Sequence, residues 1–402
     1  MSMMPLLETE VPEEEIRSRG DSGEFFDWNY VCPENQEVST GYDDVDFGRY
    51  NDTWYRSLSK EDQDKALDEI ADIYLERGIY PTLYYSEAGT AAELSKIANN
   101  KVGFTGNYVK NNSVGRMWGN WRYPNLHRVM VQQQGAERGS MMEKFFDRRW
   151  LKQAIGFILG NGKGSGGGAL PTPTRVYSAL RLVGSSASNF KNTDAQAIYE
   201  RYCPPGGVIL DSSMGFGGRL LGAMASSNGY YYIGTDPNTE TCYHIHQMRD
   251  DLNRCLGIPY ERMEIHCAGS EYISGIDNTV DFSFTSPPYF NCEVYSEEES
   301  QSYNKYSELD NWIEGFVRPT IRNIRRSLKP GGLCAINIAD FYTKDTGKIN
   351  FVDEWIRISG EEGLPWDSDF YLGIAARAGT ASQKAGDSVK KERIPVFRKP
   401  KK

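Results

Sequence analysis

From about Leu180 onward, apolar and polar positions alternate between two periods. Short apolar runs at Gly207–Asp211, Tyr230–Asp236, Arg262–His266, Val280–Phe284 and Leu333–Ala339 read as strands, with Phe370–Ala375 and Arg393–Arg398 completing a sheet. Between them, helical periodicity covers Arg219–Ser226, Thr239–Leu256 and Leu309–Leu328, the last closed by Lys329-Pro330-Gly331-Gly332. Strands alternating with helices predict an α/β domain with a doubly wound, mostly parallel sheet.

Upstream the pattern is weaker. Lys60–Tyr74 carries Ala66, Leu67, Ile70 and Ile73 on one helical face, and Glu87–Asn99 reads as a second helix. Residues 1–24 are acidic, with few large apolar side chains, and are expected to form a disordered tail. Residues 160–168 hold six glycines in nine positions without the spacing of a phosphate loop, which suits a flexible linker. The expected organisation is therefore a tail (1–24), an α-rich or mixed N-terminal accessory domain (25–168) and the α/β domain (169–402).

The net charge of −10 is unevenly distributed. Residues 1–80 hold 21 acidic against 7 basic side chains, whereas residues 101–153 hold 10 basic against 3 acidic. In the basic segment Lys101, Lys110, Arg116, Arg122, Arg128, Arg138, Lys144, Arg148, Arg149 and Lys152 are interleaved with Tyr108, Trp118, Trp121, Tyr123 and Trp150. Such interleaving suits a surface that tracks phosphates and stacks bases, and equally suits a solvated face over an aromatic core. By elimination, target recognition is assigned to residues of about 85–170.

Seven cysteines in no CxxC pattern argue for reduced thiols, and no apolar run reaches membrane-spanning length, so a cytoplasmic protein is expected. Cys242, His244, His246, His266 and Cys267 fit no common zinc spacing, and no metal is expected.

Candidate chemistry sits at Thr285-Ser286-Pro287-Pro288-Tyr289-Phe290. Two prolines stop the preceding strand and leave a rigid loop at its carboxyl end, where open α/β sheets bind ligands. Ser286 offers a hydroxyl acceptor, Pro287 a carbonyl and Tyr289 a flat ring, a set that can hold a planar amine by its two hydrogens. Asp211-Ser-Ser-Met-Gly215-Phe-Gly217-Gly218 forms a glycine-rich turn after the first strand, and Asp236 ends the next, 25 residues after Asp211. An acid there suits a ribose diol, and a ligand with ribose, adenine and an amino-acid group but no phosphate fits both: S-adenosylmethionine.

In this order and spacing, residues from about Ser186 to Lys399 resemble the amino-DNA methyltransferases, which methylate the exocyclic amine of cytosine (N4) or adenine (N6). The GFGGRLLGA run (215–223) looks most like phage and bacterial versions. The resemblance implies a class I, Rossmann-like methyltransferase domain with S-adenosylmethionine as cofactor. It places Phe190 and Thr193 in the first cofactor motif, Asp211, Gly215 and Gly217 in the cofactor loop, and Asp236 and Pro237 in the ribose turn. Ser270 falls where the family commonly has Asp at the adenine. Ser286, Pro287, Pro288 and Tyr289 match the catalytic tetrad.

A Ser at the head of the tetrad favours N4-cytosine, with the base flipped out of duplex DNA. Carbon-5 methylation needs a cysteine nucleophile, usually in Pro-Cys, and the chain has no Pro-Cys. An N6-adenine enzyme, an RNA or protein amine methyltransferase and a non-catalytic DNA-binding module are the alternatives.

Overall fold

The computed structural model describes the chain apart from residues 1–4, 6, 8, 132–138, 162–167, 184–185, 291, 344–346, 376–388 and 402. It divides into two compact units, one made of Met1–Phe26, Glu93–Tyr123 and Asn189–Lys402, the other of Asp27–Ala92 and Pro124–Ser188. The boundary expected near residue 168 thus falls elsewhere, and two segments from the N-terminal part join the α/β unit. Most of the glycine-rich stretch lies outside the described residues, as does Arg138.

The principal elements of the α/β unit, in chain order, begin with helix α1 (Glu13–Asp21), strands β1 (Phe104–Thr105) and β2 (Tyr108–Val109), and helix α2 (Asn192–Tyr202). Strand β3 (Val208–Asp211), helix α3 (Gly218–Ala225), strand β4 (Tyr231–Thr235), helix α4 (Thr239–Leu256) and strands β5 (Met263–His266) and β6 (Val280–Thr285) follow. Helix α5 (Arg318–Ser327), strand β7 (Leu328–Ile336), helix α6 (Phe351–Glu361) and strands β8 (Trp366–Ala375) and β9 (Val389–Arg398) complete it.

Nine strands form one sheet in the order β1-β2-β8-β9-β7-β6-β3-β4-β5. Strands β7, β6, β3, β4 and β5 run parallel, β9 runs antiparallel to β7, and β8 antiparallel to β9. The chain leaves β3 toward β4 and β5, then crosses back to lay β6 on the other side of β3. That reversal opens a crevice at the carboxyl ends of β3 and β6. This is the doubly wound, mostly parallel sheet expected from the pattern. Leu210, Ile233, Phe282, Phe284, Cys334 and Ile336 are all buried, as central strands covered on both faces require.

Helix α4 spans the Thr239–Leu256 expected from its periodicity. The Asn238 side chain accepts from the Thr241 N–H at its start, and Gly257 ends it in the left-handed region (φ 64°). The expected helix over 309–328 is interrupted. A wide-turn segment, Ile313–Val317, precedes α5, whose second residue is Pro319. Proline has no N–H for the turn before it, so the backbone widens there.

Where a disordered acidic tail is expected, the described residues of the N-terminus are ordered against the sheet. Leu7 and Ile16 are buried, and Val11 pairs with Cys267 beyond the end of β5. Burying Ile16 alone contributes about 2 kcal/mol. The surplus acids find partners: Glu13 bonds Arg17 at 2.7 Å and also pairs with Arg249, and Glu10 bonds His266 at 2.9 Å. A Cβ on Gly20 would stand 2.1 Å from the Tyr243 ring, so glycine lets α1 lie close on α4.

The second unit is helical and rich in buried aromatics. Helices Lys60–Arg77, Arg148–Asn161 and Pro173–Val183 frame Tyr74, Tyr80 and Phe145, with Trp28 stacked on Tyr80 at 5.6 Å. The cations expected on a nucleic-acid surface are largely engaged within their own units. Lys152 sits 2.9 Å from Asp64 and Asp68, and Arg148 pairs with Asp68 and Asp72. In the α/β unit Arg122 meets Asp251 at 2.7 Å, and Trp118 and Tyr123 are core residues. No helix among the described residues is long and apolar enough to cross a membrane.

Candidate active site

The two acids at the carboxyl ends of β3 and β4 have different surroundings. Asp211 is wholly buried, and its Oδ2 accepts from Arg219 Nε and from the Tyr232 hydroxyl, both at 2.7 Å. Arg219, also buried, donates to the Ser213 carbonyl, so the pair ties the first turn of α3 to the loop 212–217. Asp211 therefore holds the loop 212–217 from beneath.

Asp236 is half-buried, and its two oxygens accept the N–H groups of Gly215 and Asn238, each at 3.0 Å. Each oxygen keeps a further lone pair. Desolvation pushes its carboxyl up to about 6, against the pull of those two N–H groups.

Gly217 caps α3 in the left-handed region (φ 64°), and a Cβ there would stand 2.1 Å from the Tyr123 hydroxyl. Glycine is required on both counts. Next to Asp236, Pro237 borders a cleft of about 550 Å³ that Ala268, Gly269, Tyr272 and Lys305 also line. Thr9 and Val11 of the N-terminal segment close one side of it. That volume lies in the range of small-molecule sites.

Two expected cofactor residues are committed elsewhere. Ser270 is buried with its hydroxyl 2.6 Å from Thr320 Oγ1, and Asn323 Nδ2 donates to its carbonyl at 3.1 Å. Thr193 is buried with its hydroxyl donating to the Asn112 carbonyl at 2.7 Å. Where the family commonly has Asp, the Ser270 side chain is thus bound to α5, and the neighbouring Gly269 is the residue that lines the cleft. Phe190 is half-buried, edge-to-face with Phe284 at 5.2 Å and 5.7 Å from the Arg219 guanidinium. It bridges the Asp211 network and the strand that carries the tetrad.

Strand β6 ends at Thr285, and the tetrad follows in extended loop. Pro287 is buried, whereas Ser286, Pro288 and Tyr289 are half-buried. Phe290 takes a left-handed backbone (φ 50°), unusual for an aromatic residue, and its ring packs on Trp312 at 5.6 Å. That anchor fixes the loop's exit.

The Ser286 hydroxyl donates to the Asn337 carbonyl at 3.2 Å and accepts from Asn337 Nδ2 at 3.2 Å. The Tyr289 hydroxyl donates to the same carbonyl at 3.5 Å. Among the described residues no donor reaches the Pro287 carbonyl. Burial, with Glu392 and Glu293 nearby, holds the Tyr289 phenol well above its ordinary pKa, so the ring stays neutral.

Three side chains at this site are not apparent from sequence reasoning. Asn337 stands in the apolar run Leu333–Ala339, where a polar residue is the only signal. Glu293 accepts the Tyr295 hydroxyl, and burial raises its pKa. The Tyr295 ring lies 6.2 Å from Phe216 of the glycine-rich loop. Nothing in their spacing marks Glu293 and Tyr295.

The doubly wound sheet thus brings the glycine loop 215–218, Asp236 and the Ser286–Tyr289 loop to the carboxyl ends of its strands. Residues 280–402 match the N6_N4_Mtase family, described as DNA methylase.

Among solved structures, a S-adenosylmethionine-dependent methyltransferase from Methanosarcina mazei is similar at 14% identity, with 51% of this chain and 98% of that one covered and a TM-score of 0.34. A geranyl diphosphate methyltransferase in complex with S-adenosylmethionine is similar at 12% identity, covering 56% and 89%, with a TM-score of 0.37. A phosphoethanolamine N-methyltransferase from Haemonchus contortus in complex with S-adenosylhomocysteine is 14% identical, covering 56% and 58%, with a TM-score of 0.34. No curated protein sequence matches the chain.

Proposed function

We propose that the chain methylates the exocyclic amine of a base flipped out of duplex DNA, with N4 of cytosine as the favoured target. The observation that carries this reading is the acceptor pair at the end of β6. The Ser286 oxygen retains a lone pair, the Pro287 carbonyl has no donor among the described residues, and Tyr289 stays neutral beside them.

An exocyclic amine is a weak nucleophile because its lone pair is delocalised into the ring. Ser286 and Pro287 accept its two hydrogens, draw the nitrogen toward tetrahedral geometry and aim its lone pair. Tyr289 supplies the face on which the flipped base stacks, with Phe290 anchoring the loop behind it. This is positioning and electrostatic preorganisation, with no covalent enzyme intermediate.

The cofactor residues are assigned on the same footing. Asp236 takes the ribose hydroxyls, Pro237 and the Gly269 turn bound the adenine cleft, and the Gly215–Gly217 loop with Phe190 flanks the methionine end. When bound, S-adenosylmethionine supplies an activated methyl on its sulfonium. With the methyl supplied by the sulfonium, Ser286 and Pro287 would hold the amine while its nitrogen is methylated and its surplus proton is released to solvent.

Ser at the head of the tetrad favours cytosine over adenine, and N6-adenine is the second reading. Incubation with tritiated S-adenosylmethionine and duplex DNA, followed by nucleoside digestion and mass spectrometry, tests both. N4-methylcytosine is expected. N6-methyladenine would keep the mechanism and overturn the argument from Ser286.

A further inference from the structure

We propose that Asn337 is a positioning residue that sets the hydrogen-bonding state of Ser286, making its hydroxyl an acceptor aimed at the target amine; this rests on the function proposed above.

A serine hydroxyl carries one hydrogen and two lone pairs. It can accept from an amine only if its own hydrogen is spent elsewhere and its oxygen is held in one orientation. Asn337 meets both conditions from a single position. Its main-chain carbonyl, which Asn337→Ala would keep, takes the Ser286 hydrogen at 3.2 Å, and its side-chain Nδ2 fills one lone pair of the same oxygen at 3.2 Å. One lone pair is left. The same carbonyl also takes the Tyr289 hydroxyl hydrogen at 3.5 Å, so both hydroxyls of the tetrad are oriented by one residue.

The position is fixed by sheet pairing. Ile336 is in register with Thr285, and the Asn337 N–H donates to the Thr285 carbonyl at 2.8 Å. Asn337 therefore stands beside Ser286 one step beyond the paired end of β7, where strand geometry leaves little freedom. Its Oδ1 is buried without a partner among the described residues. A side chain kept for stability alone would have both ends satisfied, because an unpaired buried acceptor is costly. Asn337 satisfies the Ser286 oxygen at the expense of its own.

The test uses the full-length protein with two variants and two readouts. Asn337→Ala removes the amide and is expected to lower kcat by about 10- to 100-fold, the scale of one lost bond to a reacting group's partner, with cofactor affinity unchanged. In a Ser286→Ala background, which keeps the Pro287 carbonyl, Asn337→Ala should add no further loss.

Asn337→Asp keeps the shape but offers a donor only when its carboxyl is protonated. Its activity relative to wild type should therefore rise as pH falls through the carboxyl's pKa. Tyr289 is the titratable group in contact with this position, and Glu293, Glu392 and Arg219 act on Tyr289 from farther away. All four are common to wild type and variant, so the ratio of the two profiles isolates position 337.

A wild-type enzyme whose Asn337→Asp variant tracks it at every pH, or whose Asn337→Ala loss repeats in full in the Ser286→Ala background, overturns the inference while the proposed function stands. A wild-type protein that methylates no nucleobase amine in duplex DNA, single-stranded DNA or RNA overturns the function and the inference together.

Discussion

Replacing Arg219 with Ala should destabilise the α/β unit by about 3–5 kcal/mol, because it strands a carboxylate that water cannot reach. Asp211 is 0% exposed and the Arg219 side chain 5%, with Nε 2.7 Å from Oδ2. After the substitution only the Tyr232 hydroxyl and local backbone remain to solvate the charge. The Ser213 carbonyl also loses its donor, so the loop 212–217 loosens and cofactor affinity falls.

The decisive comparison is the double variant Asp211→Asn/Arg219→Met, which removes both charges at similar volume. Replacing a buried pair together is commonly close to neutral, so the double variant should recover most of the loss. Urea denaturation followed by circular dichroism gives the stabilities, and equilibrium binding of S-adenosylhomocysteine gives the loop's competence. If the single and double variants are equally unstable, or if Arg219→Ala costs under about 1 kcal/mol, the pair does not hold the loop as argued.

Three further outcomes follow from the same geometry. With the Asp236 carboxyl pushed up to about 6, its ionised form declines below that pH, so S-adenosylhomocysteine affinity should fall about tenfold per unit beneath pH 6, and a flat profile in calorimetric titration would exclude Asp236 as the ribose acceptor. Burial alone would lower the His266 pKa, but its bonds to Glu10 and Glu264 outweigh that and hold it near 9. A raised folded pKa contributes stability that is full below about pH 6.5 and lost as pH rises through 9, so up to about 3 kcal/mol of N-terminal anchoring should fade across that window, read as hydrogen-exchange protection factors in residues 9–21 that fall in wild type but not in His266→Gln. Gly217→Ala should cost about 1–2 kcal/mol in backbone strain alone and more through the Tyr123 clash, measured as a lower melting temperature with weakened cofactor binding.

The central strands were legible because both faces of each are covered, which makes their apolar runs continuous and unlike anything else in the chain. Helix α4 was legible from its helical periodicity over Thr239–Leu256. The ordered N-terminus was not legible. Its acids look like a solvated tail until Arg17, Arg249 and His266 are placed beside Glu13 and Glu10, and that placement is tertiary. The partners of the basic segment were not legible for the same reason. Lys152 and Arg148 find Asp64, Asp68 and Asp72 on another helix, which no local pattern reveals. At the site, residue types were readable but orientations were not. Ser270 and Thr193 turn to Thr320 and Asn112, and the place of Asn337 beside Ser286 depends on the register of two strands distant in sequence.

The most direct test of the central claim is methyl transfer by wild type and Ser286→Ala, measured with tritiated S-adenosylmethionine on duplex DNA, RNA and protein, with mass spectrometry of the digested products. The account predicts label on a nucleobase amine of DNA, recovered as N4-methylcytosine, and a large loss of transfer in Ser286→Ala while S-adenosylmethionine binding is retained. Label on RNA or protein alone, or transfer to DNA at full rate by the Ser286→Ala variant, would contradict it.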